Sequence, residues 1–555
     1  MTHYEVIIIG AGINGCGLFR DLCLQGINCL LIDRGDICEG ASAASSRLIH
    51  GGIKYLETGE FRLVRESAME RNRLLRNAPH VVKPIEVILP VQSWFGGTVA
   101  SALRFAGFNA KLSDRGALII ELGLRIYDAY SRKIQALPNH GFLGPRRVKE
   151  EYPDFASTIK AAGLYHEGHI THAERLGMEL VLDGLAANPS SALKTFTTLR
   201  RSCGAELELS DVLTQATEKL KCKVVVNAAG AWIDKVNAAL GVNEQRMGGT
   251  KGSHLVIDNP ALLKALKGRM IYFGTADGRV NLIYPYFGNV LIGATDLPIQ
   301  DPDEAICSDT EKTYLLNCVR EILPNIQVTD AQLRLTYCGV RPLPRNDGQD
   351  VGSVTRDHSI VRDTLPESDV PILSLIGGKW TTFRAFSAEA ADLILSLLKK
   401  SRKVSTEDLA IGGGKNYPKP SAVNMFIEEL AKSRNLSVAH ATSLFARYGT
   451  SADAVAISCA GKAAKPLSSL SDYLTGEIIH MCQNERVVRL SDVLLRRTTI
   501  AMEGKLDAEV VNELAGICAS ELRWTKARLA AELEHTHREL ERRSIEFQKI
   551  KTKAA

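Results

Sequence analysis

Residues 4–33 read YEVIIIGAGINGCGLFRDLCLQGINCLLID, and this stretch decides the fold. Residues 4–9 form a short β-branched run suited to a buried parallel strand. Gly10-Ala11-Gly12-Ile13-Asn14-Gly15 follows at once, then a helical stretch to Gln25, with Gly26 where a helix C′ residue is expected. Residues 28–32 are a second apolar strand ending in Asp33. In this strand–glycine loop–helix–strand context, Gly10 makes the tight turn, Gly12 lets the backbone approach a pyrophosphate, and Gly15 packs helix on strand. The helix N-terminus faces the negative charge. Asp33 suits ribose hydroxyls and repels a 2′-phosphate, so the pattern predicts an adenine dinucleotide, NAD or FAD rather than NADP.

Working outward, candidate strands of the same sheet are far apart. One lies near 223–226, before Asn227-Ala228-Ala229-Gly230. Another lies at 372–376, before Gly377-Gly378-Lys379-Trp380-Thr381. Residues 253–296 alternate as antiparallel sheet, and 333–341 read as a later strand. A nucleotide domain interrupted by a large sheet region favours FAD over NAD. The paired glycines 377 and 378 permit close backbone approach. The helix expected from Thr381 to about 398 would turn its N-terminus toward the flavin pyrimidine. The fold class is α/β: a discontinuous Rossmann-like FAD-binding domain interleaved with an antiparallel-sheet substrate domain, plus an all-helical C-terminal domain.

The expected boundaries are an interleaved unit over 1–400, a linker over 401–420 and helices over 421–555. Within the unit, FAD parts are expected at about 1–85, 150–250 and 335–400, and substrate parts at about 86–149 and 251–334. The linker is read from the basic, Gly- and Pro-bearing composition of 399–420. The helices are read from 3.6-residue periodicity, as in VVRLSDVLLRRTTIAM. The 555 residues carry 68 Lys+Arg against 63 Asp+Glu, a net charge of +5 too small to suggest nucleic acid. No apolar run approaches the roughly 20 residues of a membrane span, and MTHYEVIIIG does not read as a signal peptide. The 12 scattered cysteines read as reduced thiols of a cytoplasmic protein.

Further segments carry a resemblance. SSRLIHGGIKYLETGEFRLVRE begins at Ser45, VVNAAGAW at Val225, KGSHLVID at Lys251 and IGATD at Ile292. YCGVRPLPR begins at Tyr337, VTRDHS at Val354, IGGKWTTFRAFSAEAAD at Ile376 and NERVVRLSDVLLRRTTIAMEGKL at Asn484. In order and spacing these resemble the FAD-dependent glycerol-3-phosphate dehydrogenase family over nearly the whole chain. The resemblance implies oxidation of the C2 hydroxyl of sn-glycerol 3-phosphate to dihydroxyacetone phosphate, with hydride passing to flavin N5 and electrons to a quinone, or to oxygen in the oxidases. It puts Ser45, Ser46, Leu48, His50 and Gly51 around the flavin, with helix capping as the alternative for the serines and a core histidine for His50. Ala229, Gly230, Gly378, Lys379 and Thr381 complete the cofactor set. Arg341 and Arg356 read as substrate-facing guanidiniums, with Lys54 and Tyr55 beside them; a surface ion pair is the alternative for each arginine. Lys379 is read as polarising the substrate oxygen, as lying near N5, or as a plain helix-start lysine. His254 is the candidate base for the C2-hydroxyl proton, set against a structural histidine. Thr295 and Asp296 are read as fixing the sheet edge.

Three departures bear on the substrate: Lys54 where the family has arginine, Phe383 where it has tyrosine, and His172-Ala173 where it has an aspartate pair. They leave open another polyol phosphate, for example a tetritol phosphate; a non-catalytic flavin-binding protein is the remaining alternative. His166, His169 and His172 invite a metal reading, but a helix would fan them apart and no metal is expected. His535 and His537 read as solvated and inert. Residues 94–127 fit either a peripheral amphipathic anchor on the inner face of a membrane or a core hairpin. A homodimer is one assembly the chain allows.

Overall fold

In the computed structural model the chain is described over residues 4–53, 60–94, 116–131, 136–275, 278–345 and 357–545. The opening segment forms strand Val6–Ile9, helix Ile13–Leu24 and strand Cys29–Ile32, the two strands parallel with Val6 opposite Cys29. Every residue of both strands is buried, which is why the runs are apolar throughout.

Among the described residues six strands make this sheet, in the order Ser359–Thr364, Pro371–Ile376, Val224–Asn227, Val6–Ile9, Cys29–Ile32 and Ala192–Lys194. All pairs are parallel except the outermost, Ser359–Thr364. The strands expected near 223 and 372 are therefore consecutive neighbours of the first. Helices Ile13–Leu24, Ala173–Ala187 and Phe383–Leu397 cover one face. A three-stranded antiparallel sheet covers the other, packing Leu199, Leu207 and Leu209 on Ile7, Ile9, Leu30 and Ile32.

Among the described residues the second sheet has ten strands. Its antiparallel run Thr250–Ile257, Met270–Gly274, Val280–Tyr286 and Asn289–Gly293 matches the alternation in the sequence. Leu48–Ile49, Ala161–Ile170 and Leu333–Arg341 also belong to it, although they fall within stretches expected to be FAD parts. Alternation marks a strand but carries no information about its partner, and Ala161–Ile170 pairs along its whole length with Val82–Val91.

The C-terminal region is helical, from Val423–Arg434 to Lys526–Glu541. Its apolar side chains are continuous with one face of the second sheet, Leu494 and Met502 joining Val256, Tyr284 and Leu335 in one core. The periodic stretch near 490 does not make one long helix. Leu490–Asp492 opens directly into a π-turn over Val493–Arg497. The wider turn lets two consecutive arginines face inward, and Arg496 and Arg497 both donate to the fully buried carboxylate of Asp36.

Residues 399–420, expected as a linker, are instead bound down. Arg402 donates to Asp21 and Asp392, Gln25 Oε1 accepts from the backbone of Lys403 and Val404, and Arg20 donates to the Ala410 carbonyl. The glycines serve contact: a Cβ on Gly413 would stand 1.8 Å from the Tyr448 carbonyl oxygen. Gly413→Ala must push two backbones apart. It is expected to cost about 1–3 kcal/mol and lower the melting temperature by a few degrees in differential scanning fluorimetry. An unchanged melting curve would show that this junction is slack.

Candidate active site

A cavity of about 1110 Å³ extends from Gly10, Gly12 and Asp33 to His254 and Arg341. The glycine loop builds one end. Gly10 has φ +110°, and a Cβ there would lie 2.6 Å from the Ala228 oxygen. A Cβ on Gly15 would lie 1.9 Å from the Gly10 oxygen, so the helix can start this close to the strand only with glycine. Gly12 meets only the Ser42 hydroxyl, at 3.4 Å, and faces the cavity. One carboxylate oxygen of Asp33 accepts from the Ala11 amide at 2.6 Å and the other from Gly35 at 2.8 Å. Burial raises this carboxyl to about 6.

The middle is formed by the crossing segment 42–51 and the turn 377–381, which are bolted together. Trp380 Nε1 donates to the Ser42 carbonyl, Thr381 Oγ1 accepts from the His50 amide, and Asn14 Nδ2 donates to the Gly377 carbonyl. Gly377 and Gly378 both take positive φ. Ala229, Gly230, Leu48, His50 and Lys379 line the same space, and Lys379 Nζ donates to Ser67 Oγ at 3.1 Å. Ser45 and Ser46 do not cap a helix: their carbonyls accept from Tyr337 and Tyr284 hydroxyls of the second sheet. Gly51 donates its amide to Glu167, and a Cβ there would fall 1.9 Å from the Tyr127 hydroxyl. Glu167 belongs to a buried set with Arg71 and Tyr127, joined by contacts of 2.6–2.9 Å. Burial raises its carboxyl above the usual range. Nothing in the sequence marked this trio, because its members come from three separated elements.

The far end rests on the antiparallel pair Thr250–Ile257 and Leu333–Arg341. Gly252 stands opposite Gly339, His254 opposite Tyr337, and Thr250 opposite Arg341. The glycine pair is the functional signal in KGSH and CGVR that the sequence reading passed over. Without a side chain at 252, Arg341 lies flat across the strand; a Cβ there would meet its Nη2 at 2.4 Å. Without one at 339, the loop at Ala44 comes down onto the sheet. Arg341 donates to Asp296 at 2.8 Å and to the Thr295 carbonyl at 2.9 Å, so Asp296 orients the guanidinium beyond closing the sheet edge. His254 stacks on Tyr337 at 4.8 Å and its Nε2 meets Ser46 Oγ at 2.8 Å, while its Nδ1 is buried without a partner. Burial, then the charges of Arg341 and Arg47, push the imidazole down to about 3.

Lys54, Tyr55 and Arg356 lie outside the described residues. Phe383 and His172 are described, and neither faces the cavity. Phe383 is buried against Gly17, and His172 is buried beside Thr171 and Phe287. His166 and His169 lie on strand Ala161–Ile170 rather than a helix, where a spacing of three puts them on opposite faces. Among the described residues no cluster is placed to hold a metal ion. His535, expected to be solvated, lines the cavity.

An extended dinucleotide fits these residues: a glycine-walled loop at a helix N-terminus, a ribose-suited carboxylate beside it, and a buried Asn14 Oδ1 without a protein partner facing the cavity. Residues 5–364 match the family model for FAD dependent oxidoreductases, and 404–529 match that for the C-terminal domain of alpha-glycerophosphate oxidase. The fold and site thus define a flavin-dependent oxidoreductase. A glycerol-3-phosphate dehydrogenase of Synechocystis sp. is 32% identical, over 98% of this chain and 97% of that one. An aerobic glycerol-3-phosphate dehydrogenase of Staphylococcus haemolyticus is 28% identical, over 89% and 86%. A solved glycerol-3-phosphate dehydrogenase of Bacillus halodurans, complexed with FAD, shares the fold with a TM-score of 0.76 at 22% identity, covering 99% of this chain and 97% of that one. The chain belongs to the FAD-dependent glycerol-3-phosphate dehydrogenase family.

If the FAD ribose is held at Asp33, binding is expected to depend on pH. Ribose hydroxyls donating to that carboxylate favour its ionised form, so binding releases a proton from a group titrating near 6 in the free protein. FAD affinity of the apoprotein is expected to rise as pH increases toward about 6 and level off above, the loss below approaching tenfold per pH unit. Isothermal titration across this range, in two buffers of different ionisation enthalpy, reads both the affinity and the proton.

Proposed function

We propose that this chain oxidises the C2 hydroxyl of sn-glycerol 3-phosphate to dihydroxyacetone phosphate and passes the electrons to a quinone. Bound FAD supplies a hydride acceptor at N5. The observation that carries the reading is the shared cavity, which runs from the dinucleotide loop to a neutral imidazole and a guanidinium on one sheet face. Arg341, oriented by Asp296, offers the substrate phosphate a planar fork. Lys379, entering the cavity from the turn at 377–381, polarises the C2 oxygen. Arg356, Lys54 and Tyr55 belong to the same proposed substrate set.

His254 accepts the C2-hydroxyl proton. In the free protein it is a weak base, because burial and two arginines oppose its charged form. Arg47 is already neutralised by Glu174, with both guanidinium nitrogens on the carboxylate. A phosphate dianion at Arg341, added to the Asp296 carboxylate already there, offsets more of that arginine's charge and raises the imidazole from its depressed value, with burial still opposing its charged form. The substrate thereby activates its own base. Glycerol, lacking the phosphate, should lose at least about a hundredfold in kcat, beyond any loss in KM. An unchanged kcat at saturating glycerol would remove this role from His254.

A longer polyol phosphate loses two of its three supports, since Phe383 and His172 do not face the cavity. The quinone acceptor and a peripheral membrane site are parts of the same proposal. They are supported by Trp94, Leu118 and Leu122, which are 46–61% exposed and flank the apolar segment 95–115, itself outside the described residues. Among the described residues no helix is long and apolar enough to cross a membrane.

The test is anaerobic bleaching of the purified flavoprotein. Glycerol 3-phosphate should bleach the flavin faster than tetritol or pentitol phosphates; a flavin that no polyol phosphate bleaches would defeat the enzyme reading. Arg341→Ala should retain flavin and raise KM between about ten- and a hundredfold. Loss of flavin in that variant would misplace the residue.

A further inference from the structure

The C-terminal helices form a wall of the cavity. Leu495, Met502, His535 and Arg542 reach it from this region, and Arg489 reaches it at the adenosine end. The Arg489 guanidinium stands 5.4 Å from the centre of the Phe196 ring, on the segment that follows Asp33 and Gly35 in the cavity wall. That segment is itself fixed to the turn after the second strand: Phe196 donates its amide to the Gly35 carbonyl and Thr197 to the Asp33 carbonyl. The arginine is half-buried, and its guanidinium makes a long contact to Glu532 at 3.3 Å.

The same helices grip the loop that follows the second strand. Asp36, fully buried, receives Arg496 at 2.6 Å and both nitrogens of Arg497 at 2.7 and 2.8 Å. Burial raises such a carboxylate, but the two arginines outweigh it and hold Asp36 down at about 2. Arg496 also donates to Asp492 at 2.6 Å. At the outer rim Arg542 reaches the Asp303 carbonyl at 3.5 Å, and the Asp303 carboxylate accepts from Arg34, Trp232 and Lys235. Further along, the Thr336 amide donates to the Arg543 carbonyl.

We propose that the C-terminal helical region is part of the FAD site, with Arg489 as its contact to the adenosine half of the dinucleotide. The proposal rests on FAD being the cofactor and is independent of the substrate. An arginine over an aromatic ring offers adenine a flat cationic surface and offers a phosphate a fork. The Asp36 cluster fixes this wall to the loop that follows Asp33.

Apoprotein, prepared by salt dialysis, is titrated with FAD and with FMN, which lacks the adenosine. Arg489→Ala is expected to raise the FAD dissociation constant about tenfold and leave FMN binding unchanged. Glu532 retains Arg528 at 2.8 Å as partner, so the variant keeps a buried carboxylate paired. Arg489→Lys should recover part of the loss. Equal weakening of FAD and FMN, or unchanged FAD affinity, would overturn the proposal. A second measurement needs no variant: hydrogen exchange across Lys526–Glu541 and 489–502 should slow when FAD is added to apoprotein. Exchange there that ignores FAD would also overturn it.

Discussion

The molecule depends on one buried ion pair, Arg47 with Glu174. The arginine sits at φ +52° in the segment that crosses from the dinucleotide loop to the second sheet, and both partners are almost fully buried. Glu174 lies in the first turn of helix Ala173–Ala187, which packs on the first helix. The pair therefore ties the crossing segment to the layer that supports the glycine loop. Such a pair adds little net stability compared with apolar packing, yet removing one partner strands a buried charge. Its effect here is to fix one path for residues 42–51, and that path sets Ser46 against His254 and His50 against Thr381.

The dinucleotide half of the site was legible in the sequence because its rules are local. Glycine spacing, strand run and helix start lie within thirty consecutive residues, and Gly10 and Gly15 each meet backbone that a side chain would strike. That strands at 6, 224 and 371 belong to one sheet was readable from the turns that follow them. The substrate half was less legible. That Gly252 faces Gly339 is a matter of register between strands some eighty residues apart, and register leaves no mark on either strand alone. The trio Arg71, Tyr127 and Glu167 was hidden because two helices and a strand far apart in the chain bring it together. The contribution of the C-terminal helices was hidden by a π-turn, which breaks the periodicity used to read them and points two charged residues inward.

Composition also misled where it described contact rather than freedom. Residues 399–420 carry the glycines and lysines of a flexible connector, yet Gly413 and Gly414 lie under backbone, and a Cβ on Gly414 would stand 2.4 Å from the Asn77 oxygen. Phe383 and His172 stand out against the family pattern, but they lie in packing layers away from the cavity. Difference from a family weighs on substrate only where the altered side chain can reach it.

The interleaved topology has a consequence for how the molecule is made. Strand Val6–Ile9 is flanked on one side by Val224–Asn227, which in turn needs Pro371–Ile376 as its other neighbour. During synthesis the glycine loop emerges first, yet the sheet that shapes it stays open until residue 376 and the helix after it have left the ribosome. Contacts this distant along the chain close slowly and leave apolar strand edges bare in the meantime. Cofactor capture is thus a late event, and the first strand keeps one edge unpaired until residues 224–227 have been made.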